Sequence, residues 1–255
     1  MSSILTNTKT TIWIWPSGLF PRRVLYYFLA KGINVSTLKS HNIILIPIDL
    51  IISPLSLQSK TGHEPRPADT SLPVLRIEHS DGRITWIRES LAILHYLEEL
   101  FPPSAGYPDL QGSSAEQRAQ MRDMLSVLGE AMHWSLVSLI HSNTSTTNWS
   151  GLDEEQMSAV TAAHADQKHI VLLLRLEKWV EERVSHGIMD YVTFAGLGLL
   201  AQVEYAEMMF GTDWVADHVV LRTWVEELKG EPWYVSNERL KDVERSGDWS
   251  TLMGN

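Results

Sequence analysis

The hydrophobic period of this chain changes once, and the change falls at a run rich in proline and glycine. Before it, short apolar or alternating runs stand beside single helical stretches: TIWIW at 11–15, IILIPIDL at 43–50 and VLRIEHSDGRITWI at 74–87. From 114 onward, apolar residues recur at helical spacing only. Between the two lies PPSAGYPDLQGS, residues 102–113, which has the composition of a linker. A chain with this profile is restricted to two modules, one of strands and helices in alternation and one all helical.

In the first module, Pro16 and Gly18 end the opening strand, and a helix is expected to start at Pro21, whose missing amide hydrogen would have had no partner there. Val24, Leu25, Phe28 and Leu29 form its buried stripe, and Lys31-Gly32 marks its stop. A helix between two strands predicts a parallel crossover. A polar loop is expected over 53–70, then a hairpin turning at Asp81-Gly82. Ser90 opens a helix carrying Ile93, Leu97 and Leu100, which ends at Phe101-Pro102-Pro103. The order is βαβ followed by ββα.

In the second module the spacing predicts helices from about 114, where Ser114 and Gln117 make a capping box, from Asp153 with Gln156, near 193–210 and near 217–229. The last carries Val220, Leu221, Trp224, Val225 and Leu228 and stops at Gly230. The organisation expected is a mixed domain over 1–101, the linker 102–113, an all-α domain over 114–235 and a polar tail 236–255.

Composition narrows the chemistry. At 255 residues with 44% hydrophobic and 20% charged residues, the chain can bury real cores. A net charge of −10 argues against nucleic acid or an anionic membrane as partner, because phosphate binding needs clustered Lys and Arg. There is no cysteine, which excludes a disulfide framework, a thiolate-bound metal and a cysteine nucleophile together. The ten histidines show no H-x-x-x-H or H-E-x-x-H spacing, so no metal is expected, and no phosphate-binding glycine loop appears. MSSILTNTKT does not read as a signal peptide and the apolar run 43–52 is too short to span a bilayer, so a cytoplasmic protein is expected. The sequons at Asn34, Asn143 and Asn148 are then chance matches.

The stretch WIWPSGLFPRRV, 13–24, runs from strand through turn into helix. Thiol-handling folds place a reactive cysteine at such a turn, so any thiol used by this chain must come from outside. The first turn of a helix presents unpaired amide hydrogens and a partial positive charge, which favours an anion at its tip. A thiol of pKa about 8.5 is ionised further by that field and by a hydroxyl donor. Ser17 is the hydroxyl best placed; Thr10 and Thr11 are weaker substitutes, and Tyr26 and Tyr27 fall inside the helix. Arg22 and Arg23 follow directly; either is placed to tune the thiolate, and a helix-surface ion pair is the role expected of both.

Four segments, in order, resemble the soluble glutathione transferase superfamily over roughly residues 11–235: WPSGLFPRRVLYYFLAKGI, Leu72-Pro73-Val74, RESLAILHYL at 88–97, and Leu221-Arg222-Thr223-Trp224. The resemblance implies an α/β thioredoxin-like N-terminal domain followed by an all-α helical bundle, with glutathione as co-substrate and a homodimer as the assembly. Residue by residue, it implies that Ser17 touches the glutathione sulfur, that Leu72 before a cis Pro73 pairs with the cysteinyl backbone, and that Glu89 and Ser90 hold the γ-glutamyl end. Lys60, His63 and Arg66 are the cations available for the glycine carboxylate, with Arg66 preferred for its fork. Leu19 and Phe20, with Met132, His133 and Leu136, are implied for an apolar electrophile. The polar tail after 235 is open to two readings, a disordered segment or, since it carries Trp249 and Met253, a cover over that site.

Two departures from the family pattern stand out. Arg66-Pro67-Ala68-Asp69-Thr70-Ser71-Leu72-Pro73 replaces a shorter loop, and Thr193-Phe194-Ala195-Gly196 lacks the acidic end of a capping box. Three functions stay open on the sequence: transfer of glutathione to an apolar electrophile, glutathione-dependent isomerisation of a conjugated double bond, and a non-catalytic ligand-binding module.

Overall fold

The computed structural model describes residues 8–53 and 55–255. Most of the N-terminal segment in which a signal peptide was sought, residues 1–7, lies outside the described residues. The chain forms two compact units, one running to Asp109 and including Met208–Phe210 and Lys229–Asn255, the other comprising Leu110–Glu207 and Gly211–Leu228.

The first unit is built on a mixed sheet. Strand β1 (Lys9–Ile14) leads into α1 (Leu19–Ala30), a short α2 (Val35–Ser40) and β2 (Ile43–Ile52). β1 and β2 are parallel, with Ile12 opposite Leu45, as a helical crossover requires. Next come β3 (Leu55–Ser59), β4 (Val74–Glu78), β5 (Ile84–Ile87) and α3 (Ser90–Leu100). The sheet order is β3-β2-β1-β4-β5, with every pairing but β1–β2 antiparallel. Gly82, at φ 81°, supplies the left-handed residue of the β4–β5 turn. Trp13, Ile46, Ile48, Leu72 and Val74 form a buried cluster, with Trp15, Leu57 and Trp86 packed on it.

Three local expectations change. Within the loop expected over 53–70 there is a strand, β3, paired to β2 through Leu50 and Leu57. Its sequence LSLQS is half polar because it is an edge strand with one side open, so it lacks the apolar run that marks a central strand. α1 begins at Leu19, not Pro21, and Gly18 is its cap. Pro21 is the third helical residue, still in the first turn where no intrahelical acceptor is lost. The tail is structured: α9 (Asn237–Ser246) and α10 (Ser250–Met253) belong to this unit, with Leu240 and Val243 fully buried. Trp249 donates from Nε1 to the Leu45 carbonyl at 3.1 Å, which ties the tail to β2.

The second unit is helical. α4 (Ala115–Ser142) opens on the Ser114–Gln117 capping box and buries Met121, Met124, Leu125, Leu128 and Met132 at helical spacing against α6 (Ala159–Ser185). Between them lies the single turn α5 (Thr147–Ser150). The helix expected from Asp153 is only a 3₁₀ turn, Glu154–Gln156, and α6 starts later on a Ser158 cap that accepts from Thr161. α7 (Phe194–Phe210) is buried almost throughout up to Ala206, and α8 (Val219–Gly230) buries Leu221, Trp224, Val225 and Leu228. Thr193 caps α7 by accepting from the Gly196 amide. Gly196 explains the missing acidic residue: a Cβ there would lie 2.1 Å from the Tyr191 carbonyl oxygen and 3.1 Å from Trp224 Nε1. That same Tyr191 oxygen accepts from Trp224 Nε1 at 2.9 Å, so glycine makes room for a bond that joins the start of α7 to α8.

Candidate functional site

The turn from β1 into α1 is tight. Gly18 donates to the Trp15 carbonyl at 2.9 Å, and a Cβ on Gly18 would meet a Trp15 ring carbon at 2.7 Å. Ser17 is thereby drawn inward and is 2% exposed. Its Oγ is buried with no hydrogen-bond partner among the described residues. Its main chain is held on both sides: the amide donates to Glu244 Oε1 at 2.8 Å, and the carbonyl accepts from Arg22 Nη2 at 3.1 Å. A buried hydroxyl left without a partner is uncommon, because it forfeits the bonds it makes in water.

Arg22 and Arg23 are not helix-surface residues; they are 0% and 5% exposed. α1 is buried on nearly every face from Pro21 to Phe28, so no solvent-facing stripe exists for them to occupy. Besides Ser17, Arg22 contacts the sulfur of Met208 at 3.6 Å, and its Nε and Nη1 have no hydrogen-bond partner among the described residues. Arg23 stacks over the Phe20 ring at 5.1 Å, and burial lowers its pKa to about 10, which leaves it charged at neutral pH. Thr10 and Thr11 lie buried within β1, and Tyr26 and Tyr27 are fully buried inside α1.

The other anticipated residues of the first unit are placed as follows. The Leu72–Pro73 bond is cis, and Leu72 precedes the β4 ladder, which begins at Val74. Ser90 is the buried first residue of α3. Glu89 is the cap residue of that helix, exposed, and its side chain makes no capping bond, so the carboxylate is not consumed by the helix it precedes. Lys60 and Arg66 both hold protein oxygens: Lys60 bonds Asp49 at 3.2 Å and the Glu244 carbonyl at 2.6 Å, and Arg66 donates to the Thr70 carbonyl within its own loop. His63 is exposed. Phe20 is 45% exposed and Leu19 half-buried at the start of α1.

In the second unit, Met132 is buried in the helical core, whereas His133 and Leu136 are exposed on α4. Among the described residues, no group of three or more His, Asp or Glu is arranged to hold a metal, and no helix is long and apolar enough to cross a membrane.

Glu244 is the site residue that sequence reasoning missed. Its contact spans 227 residues, and no local pattern announces such a pair. The signal available was the helix that carries it: Leu240 and Val243 three apart, bounded by Ser236 and Gly247.

No protein-family model matches the chain, and no curated protein matches it in sequence. Solved structures do match in fold. A glutathione S-transferase from Methylobacillus flagellatus KT, with glutathione bound, aligns over 88% of this chain and 96% of its own at a TM-score of 0.61 and 13% identity. Gtt2 of Saccharomyces cerevisiae aligns over 87% and 97% at 0.57 and 20% identity. A maleylacetoacetate isomerase from Anaeromyxobacter dehalogenans 2CP-1, with glutathione bound, aligns over 87% and 90% at 0.55 and 22% identity. With a mixed sheet and flanking helices in the first unit and helices alone in the second, the chain has the fold of the soluble glutathione transferases.

Proposed function

We propose that the chain is a glutathione-dependent enzyme that stabilises the thiolate of glutathione at Ser17 and directs it to an apolar electrophile. The observation that carries this reading is the buried Ser17 hydroxyl, without a partner, beside the amino end of α1. In a chain without cysteine, an incoming thiolate supplies the missing acceptor: the hydroxyl donates to sulfur, and the helix field favours the negative charge. Glu89 and Ser90 at the start of α3 suit the ammonium and carboxylate of the γ-glutamyl end, and the backbone of Leu72 suits the cysteinyl unit. The thiol loses its proton to solvent, and sulfur then forms a bond to carbon, displacing a leaving group or adding to a double bond. Leu19 and Phe20, at the start of α1, are the residues of the first unit proposed to meet the electrophile.

A second reading is favoured by the maleylacetoacetate isomerase among the structural neighbours. Reversible addition to a conjugated olefin gives a rotatable single bond, and elimination returns glutathione with the double-bond geometry changed. Both readings require the same thiolate.

Retention on glutathione resin, and turnover of a generic electrophile by the wild type and Ser17→Ala, test the proposal. Loss of one donor to a developing or bound anion is expected to lower kcat/KM about 100-fold. Retention with no turnover of any electrophile or olefin favours a carrier instead. Mass gain of one glutathione in the product identifies transfer, and unchanged mass with altered chromatographic retention identifies isomerisation.

A further inference from the structure

The amide of Ser17, the residue whose hydroxyl is proposed to meet the thiolate, is already held by a carboxylate of the chain's own. Glu244 Oε1 accepts from the Ser17 amide at 2.8 Å, next to the amino end of α1. Glu244 stands in the last turn of α9, where a carboxylate opposes the helix dipole; the position is unfavourable for its own helix and favourable only toward α1. The contact is fixed by a built structure. Lys60 grips the Glu244 carbonyl at 2.6 Å and Asp49 at 3.2 Å, and its stem packs on Gly247, where a Cβ would come within 2.9 Å of Lys60 Cδ. Gly247, at φ 73°, ends α9 and permits that approach. On the opposite side of the Ser17 peptide lies the guanidinium of Arg22, 0% exposed, with Nε and Nη1 lacking partners and no carboxylate paired to it among the described residues. Lys60, paired with Asp49, thus holds the Glu244 main chain from the β2–β3 side, and Arg22 holds the Ser17 carbonyl from α1.

We propose that Glu244 is an internal counter-anion that the thiolate of glutathione must displace, with the buried charge of Arg22 drawing whichever anion occupies Ser17. The proposal rests on the glutathione reading above and makes α9 a self-inhibiting contact on the same site. Where a competitor holds the site for most of the time, apparent affinity falls by the fraction of time the site is free.

The test uses the full-length protein with reduced glutathione as the probe. Glu244→Gln keeps the shape and an oxygen that accepts from Ser17 but removes the charge. It is expected to bind glutathione about fivefold or more tightly than the wild type by calorimetry, and to lower the pKa of the bound thiol by about half a unit, read as thiolate absorbance against pH. Asp242→Asn removes the same charge from the exposed side of the same helix, where Asp242 pairs with Arg245, and is expected to match the wild type in both readouts. A second measurement needs no variant: on adding glutathione to the wild type, amide exchange over 237–246 is expected to speed up. Affinity in Glu244→Gln equal to or weaker than wild type, or exchange in α9 that stays constant or slows, overturns the displacement while leaving the glutathione reading intact. Failure of the wild type and both variants to bind glutathione overturns that reading, and the displacement with it.

Discussion

Two buried cations of helix α1, Arg22 near its amino end and Lys31 at its carboxyl end, are treated differently. At the carboxyl end, the Lys31 side chain is 0% exposed and meets Glu98 Oε1 at 2.7 Å, the Phe101 carbonyl at 3.0 Å and the Pro108 carbonyl, with the Tyr27 ring 5.6 Å away. Its three donors have three oxygens. At the amino end, Arg22 has one carbonyl, one thioether and two nitrogens with nothing. Both charges bear the cost of leaving water, several kcal/mol each, but only Lys31 is compensated by a carboxylate. The first arrangement is that of a structural lock. The second leaves positive charge beside the loop that carries Ser17, where an exchangeable anion can use it.

Each side of this comparison can be broken separately. The largest effect is expected from Glu98→Ala, which leaves Lys31 buried without its anion: urea unfolding should show a loss of about 3–5 kcal/mol. Arg22→Met should instead leave stability within about 1 kcal/mol of wild type or raise it, because an uncompensated buried charge is replaced by an apolar side chain of similar reach. Its cost should fall on chemistry, with the bound thiol pKa rising by about one unit. A large loss of stability in Arg22→Met would show that the amino end is a lock as well. The smallest effect concerns pH. Burial raises the pKa of Glu98 against the opposing pull of Lys31, so the folded state keeps its proton to higher pH than the unfolded chain does, whose group titrates near 4.5. More protons are then bound in the folded state, and this contribution to stability is present below about 4.5 and lost as pH rises through the folded pKa. Glu98→Gln cannot titrate. The stability of wild type relative to Glu98→Gln should therefore decline as pH is raised from about 4.5 toward neutrality, and a flat difference would place Glu98 outside the balance.

The same contrast explains what was legible in the sequence. α1 was visible from Val24, Leu25 and Phe28, and α8 from Leu221, Trp224 and Leu228, because burial at helical spacing is a local pattern. The β4–β5 turn was visible from Asp81-Gly82, because one left-handed residue sets the turn. Ser17 was singled out by its place at the turn into α1, and Leu72, Pro73, Glu89 and Ser90 by the resemblance of their segments to the glutathione transferases. The fate of charges was not legible. Arg22 looked like a surface residue, since a sequence records that a residue is charged but not which side chains from distant segments enclose it. β3 was hidden because an edge strand needs little apolar character, and the Glu244 contact because its partner is 227 residues away.

The added strand β3 has a role beyond widening the sheet. It ends at Ser59, so Lys60 emerges from the sheet edge, its amide bonded to the Pro47 carbonyl at 2.9 Å, in position to clasp the last turn of α9. Lys60 thus links the β2–β3 hairpin to the tail at this edge, beside the Trp249 bond that ties the tail to β2. If β3 is cut short so that Lys60 no longer reaches α9, that helix loses one hydrogen bond at its last turn while the tail keeps its Trp249 bond to β2.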